Sequence, residues 1–161
     1  MMNTPTTTVT ACPWVSGVTL EDLQNRSRET LNENLGMEFI ELTDTELRGR
    51  MPVDRRTVQP AGVLHGGASV AFAETLASWA GYLSIDRERF HVVGQEINAN
   101  HVRPGRPGTW VYGAATPVHI GRRAHVWEVR ITGEDGKLVC ISRCTLAVIE
   151  QASGYAAPES R

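Results

Sequence analysis

No stretch of this 161-residue chain approaches the ~20 consecutive apolar residues that a membrane-spanning helix requires, so no bilayer partner is expected. Cysteine is scarce. Cys12, Cys140 and Cys144 form an odd set without CxxC spacing, which suits free thiols in a reducing cytoplasm better than a disulfide framework. An excess of one charge is lacking too: 16 Lys and Arg against 18 Asp and Glu leave a formal net charge of -2. That balance removes any general electrostatic ground for expecting nucleic acid or an anionic surface as partner, and makes any basic site local. The first 19 residues, MMNTPTTTVTACPWVSGVT, hold no Lys or Arg and no continuous apolar core, unlike a secretory or transit peptide. Metal-ligand spacing is missing as well. The five histidines, His65, His91, His101, His119 and His125, show neither HxxxH nor paired Cys/His spacing, and no metal site is expected.

What is present is the composition of one globular domain, 41% hydrophobic and 21% charged. Residues 1–18 are Thr-rich and aperiodic and are expected to form a loosely held arm; 19–150 form the domain and 151–161 a tail. In TLEDLQNRSRETLNENLG, Thr19 offers an N-cap, Glu21 and Asp22 fill the first turn, Leu20, Leu23, Leu31 and Leu35 make a broken apolar stripe, and Gly36 stops the helix. The period then changes to two. Leu47, Gly49 and Met51 alternate with Glu46, Arg48 and Arg50, so two strands joined at Thr43–Asp44 are predicted.

Beyond Ile85, four extended segments follow at 92–103, 109–119, 123–133 and 138–150. Their alternation is clearest in Trp110, Tyr112, Ala114 and Thr116 and in His125, Trp127, Val129 and Ile131. The last two are joined by an Asp-Gly hairpin signal in GEDGK. This order is not βαβ alternation. It predicts an α+β fold, an antiparallel β-sheet packed on one long helix.

That helix is the run from Gly67 or Ala68 to about Ser84, too long for a strand, rich in Ala and apolar almost all round. Between Arg56 and Asp86 its only formal charge is Glu74. An unpaired buried carboxylate is expensive, so Glu74 either caps a backbone group, forms a buried ion pair or carries chemistry. It shares a helix face with Val70, Ala77, Ser78 and Gly81, mostly small residues that leave room for something bulky. At the helix start, Gly62, Gly66 and Gly67 allow close approach of backbone, and free amides with partial positive charge suit an acyl carbonyl that gains negative charge. Gln59 and His65 stand beside them. Gly66 and Glu74 are eight residues apart, about 12 Å along the helix axis. One subunit cannot bring both to one carbonyl, whereas two antiparallel helices across a homodimer interface can.

Three blocks in order, VQPAGVLHGGASVAFAETLASWAG, VVGQEINANHVRP and VHIGRRAHVWEV, resemble the hotdog-fold acyl-CoA thioesterases. The similarity spans about residues 20–149 and is with the glutamate-using branch of the 4-hydroxybenzoyl-CoA thioesterases, nearest to the enterobactin-proofreading and 1,4-dihydroxy-2-naphthoyl-CoA thioesterase subfamily. It implies a long central helix wrapped by an antiparallel sheet, homodimers paired through sheet edges and joined as a dimer of dimers, and active sites at the subunit interface. By position, Glu74 matches the family's nucleophile or general base. Gly66 matches the amide that polarises the carbonyl, Gln59 and His65 the pair around carbonyl and water, and Ser78 a hydroxyl that places the water. The second and third blocks match CoA-contacting segments, implicating Gly94, His101, Val102, Arg103 and Pro104, and His119, Ile120, Gly121, Arg122, Arg123 and Ala124. Arg103, Arg122 and Arg123 supply the local positive charge that CoA phosphates need. Relatives often carry a second histidine where this chain has Val102.

The implied reaction is hydrolysis of an acyl-CoA or acyl-carrier-protein thioester, with an aromatic acyl group and no cofactor beyond the CoA of the substrate. Two alternatives are a hotdog dehydratase or hydratase acting on β-hydroxyacyl thioesters, and a non-catalytic acyl-CoA sensor. A sensor could dispense with Glu74.

Overall fold

The computed structural model of the chain describes residues 12, 14, 15 and 17–151. Its elements run α1 (Leu20–Arg26), α2 (Leu31–Asn34), β1 (Glu38–Leu42), β2 (Leu47–Pro52), α3 (Gly66–Leu83), β3 (Phe90–His101), β4 (Trp110–Ile120), β5 (Ala124–Gly133) and β6 (Leu138–Glu150). The six strands form one antiparallel sheet in the order β1-β2-β4-β5-β6-β3. The expected α+β architecture is therefore present. The two strands before the long helix lie at one side of the sheet, and β3, the first strand after it, crosses to the opposite edge.

Thr19 caps α1 as expected, in a capping box with Asp22. The helix read through to Gly36 is in fact two. Glu29 takes a left-handed φ of 58°, and Thr30 starts a second cap by accepting from Asn32 N and donating to the Ser27 carbonyl. Hydroxyls that bond nearby backbone compete with helix continuation. Leu31, read into the buried stripe, is consequently 58% exposed.

Helix α3 begins one residue earlier than predicted because His65 is its N-cap: His65 Nδ1 accepts the Gly67 amide at 2.8 Å. Phe72 and Leu76 lie directly on the sheet over Gly49 and Gly113, which pair across β2 and β4. A Cβ at Gly49 would stand 2.9 Å from Leu76 Cδ2, and one at Gly113 2.5 Å from Leu76 Cδ1, so bare backbone at this pair sets the helix-to-sheet distance. Trp127, Phe72, Leu76, Met51, Ile131 and Leu146 are fully buried around that contact.

Three cysteines, Cys12, Cys140 and Cys144, are buried free thiols, as expected. Burial, with Glu46 adding to it, pushes the Cys12 thiol up to about 12. Burial does the same to Cys144, helped by Glu74 and then Glu96. His125, expected in packing or at the surface, is buried against Trp127 with ring centroids 6.3 Å apart. The described part of the N-terminal arm is docked, not loose. Cys12 N donates to the Asp44 carbonyl, Val15 N to that of Leu83, and Trp14 stacks on Trp127 while its Nε1 donates to the Thr43 carbonyl at 2.7 Å. The rest of the arm up to residue 16, and the tail from 152, lie outside the described residues.

Candidate active site

The sequence-predicted residues gather at two separate places on α3. The first is the helix start. Residues 57–65 fold back through a Val58–Leu64 bridge, with Gly62 at φ 78° and Gln59 Oε1 accepting from Ala61 N at 2.9 Å. This turn fixes the Gln59 oxygen and leaves its Nε2–H₂ as a donor. The His65 cap fixes a tautomer in the same way: with Nδ1 accepting, the neutral ring carries its proton on Nε2. Of the first three α3 amides, Gly67 donates to His65 Nδ1 and Ala68 to the His65 carbonyl, while the Gly66 amide has no acceptor among the described residues. Gly66 lies against His101, whose Nε2 a Cβ at position 66 would meet at 2.9 Å. Gln59, Gly66, Ser69, His101, Val102, Arg103 and Pro104 line one open cavity of about 360 Å³. His65 is exposed beside it.

The second place lies two turns further on. Glu74 and Ser78 line a cavity of about 420 Å³ with Arg26, Leu31, Asn32, Thr75, Trp79 and Tyr82. Glu74 is half-buried and makes no hydrogen bond or ion pair among the described residues, so neither structural explanation for its charge holds. Its carboxylate rests against β3 at Gly94, where a Cβ would stand 2.7 Å from Oε1. Any larger residue at 94 would displace the acid.

The implied CoA-contacting segments are divided as well. Ala124 lies level with Ala147 of β6, and Ala147 level with Val93 of β3. His101 is eight residues further along β3, about 26 Å away at 3.3 Å per residue. Arg122 and Arg123 line a third cavity, of about 750 Å³, with Ile120, Gly121, Arg89 and His125. His119 packs on Gly121, in a turn closed by Gly121 N donating to the Ala124 carbonyl at 3.0 Å. Within the single chain, then, Gly66 is not joined to Glu74, nor His101–Pro104 to His119–Ala124.

Strand β3 is the outer strand on this side, with Val93, Gly94, Gln95 and Glu96 exposed in succession and no strand beyond it among the described residues. Among those residues no three His, Cys, Asp or Glu side chains cluster as metal ligands would.

Sequence reasoning missed Arg26, Asn32, Trp79 and Tyr82. Trp79 and Tyr82 could have been found, since they continue the Thr75 and Ser78 face by one turn. Arg26 and Asn32 arrive from α1 and α2 through long-range contacts, Thr75 Oγ1 donating to Asn32 Oδ1 at 3.0 Å and Arg26 Nη1 to the Tyr82 hydroxyl at 2.9 Å. Nothing local announces them.

Residues 61–140 match the thioesterase superfamily. The chain is 46% identical over 136 residues to the 1,4-dihydroxy-2-naphthoyl-CoA hydrolase of Escherichia coli, covering 84% of this chain and 98% of that protein. It is 48% identical over 136 residues to the proofreading thioesterase EntH of Cronobacter turicensis, with the same two coverages. Among solved structures, a mutant thioesterase from Pseudomonas aeruginosa superposes with a TM-score of 0.84 at 44% identity, over 86% of this chain and 99% of that one. By sequence, topology and the HGG-to-glutamate helix, this chain belongs to the thioesterase superfamily and has its hotdog fold.

Proposed function

We propose that this thioesterase hydrolyses acyl-CoA thioesters of aromatic acids at sites shared between the two protomers of a homodimer, without a metal or organic cofactor. The observation that carries the reading is Glu74, an acid with no structural partner, held against bare backbone at Gly94. The Gly66 amide receives the thioester oxygen as it gains charge. Gln59 and His65 Nε2–H flank it. Glu74 either attacks the carbonyl carbon, expelling the CoA thiolate and leaving an anhydride that water opens, or takes the proton of a water placed by Ser78. Both routes end in free acid and thiol.

One register of β3 against a second β3 repairs both divisions. Gly94 marks Glu74 and His101 marks Gly66, so facing the two requires antiparallel strands related by a two-fold axis between Ile97 and Asn98. The same register sets Val93 opposite the partner's Val102. Both valines are exposed in the single chain. Because Ala124 lies level with Val93, Arg122 and Arg123 then sit level with the partner's Arg103, and one phosphate site draws cations from two chains. Trp79 and Tyr82, edge to face at 5.4 Å, suit a flat acyl group in the Glu74 cavity. Buried free thiols fit a reducing cytoplasm, and two such dimers back to back give the tetramer implied by the resemblance.

The test is thiol release from aryl and aliphatic acyl-CoAs and acyl-carrier proteins, by the native chain and by Glu74→Ala. Rapid aryl-CoA turnover lost in the variant supports the reading. Binding without thiol release, or dehydration of a β-hydroxyacyl-CoA with the thioester left intact, would overturn it.

A further inference from the structure

One side of the Glu74 cavity is built by a segment held to the fold at few points. Gln24 of α1 clamps the start of β1, its Nε2 donating to the Met37 carbonyl at 3.2 Å and its Oε1 accepting from Phe39 N at 3.1 Å. Between these fixed ends the chain makes the excursion 28–36, which carries α2. Leu35 anchors the far end by packing against the core. The near end has no such anchor. Arg28, Glu29, Thr30 and Leu31 are exposed, and Glu29 holds a left-handed φ of 58°, which a residue other than glycine keeps only where its surroundings enforce it.

Glu33 closes this turn from within, its Oε2 accepting from Glu29 N at 2.6 Å, and Asn32 ties it to the rest of the molecule. Asn32 Oδ1 accepts from Thr75 Oγ1 of α3 at 3.0 Å, and Nδ2 donates to the buried Ser27 Oγ at 3.1 Å. Its amide donates to Thr30 Oγ1 and its carbonyl accepts from Met37 N. Among the described residues, Thr75 to Asn32 is the only hydrogen bond between the excursion and α3. Asn32 follows Leu31 in the chain and Thr75 follows Glu74, so this one bond sets how far a leucine on α2 stands from the acid on α3. Leu31 lines the cavity, with Trp79 and Val92 as further apolar walls, yet it is 58% exposed and adds little to the burial that holds the fold. An acyl group in the cavity would cover it.

We propose that Asn32 is a positioning residue that sets the size of acyl group accepted here. Its bond to Thr75 holds Leu31 at the cavity as a wall for a single ring; without that bond, α2 swings out from its Leu35 anchor and the wall is lost. This rests on the thioesterase reading of Glu74. Both ends of the Asn32 amide are engaged within the fold, and it acts on the substrate through Leu31.

The experiment measures kcat and KM for benzoyl-CoA, 2-naphthoyl-CoA and biphenyl-4-carbonyl-CoA in the native chain and in Asn32→Ala, Thr75→Val, Thr75→Ser and Leu31→Ala. The biphenyl compound should be the poorest substrate of the native chain. Asn32→Ala and Thr75→Val should each raise KM for benzoyl-CoA about threefold to tenfold, the scale of one lost hydrogen bond, with a smaller change in kcat. The biphenyl-to-benzoyl ratio of kcat/KM should rise by a similar factor. The double variant Asn32→Ala/Thr75→Val should match either single one, because both remove the same bond. Thr75→Ser keeps the hydroxyl and should keep the native selectivity, while Leu31→Ala should lose it. A uniform fall for all three substrates, equal turnover of the three by the native chain, or native selectivity in Thr75→Val overturns this inference and leaves the thioesterase reading intact. No thiol release from any of them by the native chain removes both.

Discussion

The two edges of the sheet are built differently. Strand β1 has five residues and a bulge between Phe39 and Glu41, and is laced to β2 by Arg50–Glu38 at 2.7 Å and Arg48–Glu41 at 2.6 Å. Arg48 also pairs with Glu46, and Arg50 lies 4.3 Å over the Trp110 ring. Both edges carry a bulge, β3 between Gly94 and Glu96, but short length and paired charge are further devices by which proteins keep an edge from pairing, and only β1 has them. Strand β3 has 12 residues, no Lys or Arg, and Val93 and Gly94 open to solvent. One edge is guarded and the other is available, and the candidate catalytic residues are distributed along the available one.

Four predictions bear on that contrast. The largest effect is expected at Glu74. Glu74→Ala should lower kcat on the order of 10⁴-fold with little change in thermal stability, because the carboxylate has no structural partner to lose; rate and melting temperature together check it. Gly66→Pro comes next. Proline suits the first helical position, and His65 at φ -72°, ψ 132° is already in the conformation that a residue before proline requires. This variant deletes one N–H from α3 and obliges the His101 side chain, 2.9 Å from the new Cβ, to shift, and should cost about 10²–10³ in kcat.

Gly94→Ala should follow. Its Cβ meets the movable end of Glu74, so the fold adjusts while the acid is displaced, and kcat should fall about 10²-fold, the scale of a 1 Å misplacement. At the edge itself, the double variant Val93→Lys/Val102→Lys would oppose like charges across the two-fold and should raise the dimer dissociation constant at least about tenfold by light scattering or sedimentation. Ile40→Lys on the guarded edge should leave the oligomer unchanged. Equal effects at the two edges would erase the distinction between them.

The smallest effect concerns stability. Burial, and then the neighbouring His119, hold His125 below its ordinary range, against a smaller upward pull from its hydrogen bond with the Gly121 backbone. The unfolded chain then takes up a proton that the folded chain refuses, so stability is full above about pH 6.5 and falls as pH drops below it. Melting temperature should decline from pH 7.5 to 5, and His125→Phe should flatten that slope. Loss confined to below pH 4 would point to the carboxylates instead.

Much of this was legible in the sequence because it is local. The period change at residue 47, the Asp-Gly hairpin, the Thr19 cap and the lone charge in an apolar helix each follow from a few adjacent residues. The break at Glu29 was not legible, since it turns on the Thr30 hydroxyl donating to the Ser27 carbonyl and accepting from the Asn32 amide in place of the helix. The approach of α3 to Gly49 and Gly113, the docking of Trp14 on Trp127, and the reach of Arg26 to Tyr82 join residues from distant parts of the chain that meet only through sheet order. Even the separation of Gly66 from Glu74 needed only helix rise, whereas the matching separation of Arg103 from Arg122 and Arg123 needed the strand register.

The most direct test of the shared site is to mix the two inactive variants, Glu74→Ala and Gly66→Pro, after dissociation and reassociation. In the hybrid dimer one site receives both lesions and the other neither, so an equal mixture should recover about a quarter of native activity by random pairing of C2 protomers. No recovery, with hybrid dimers shown to form, would place Glu74 and Gly66 of one protomer in the same site and contradict the account.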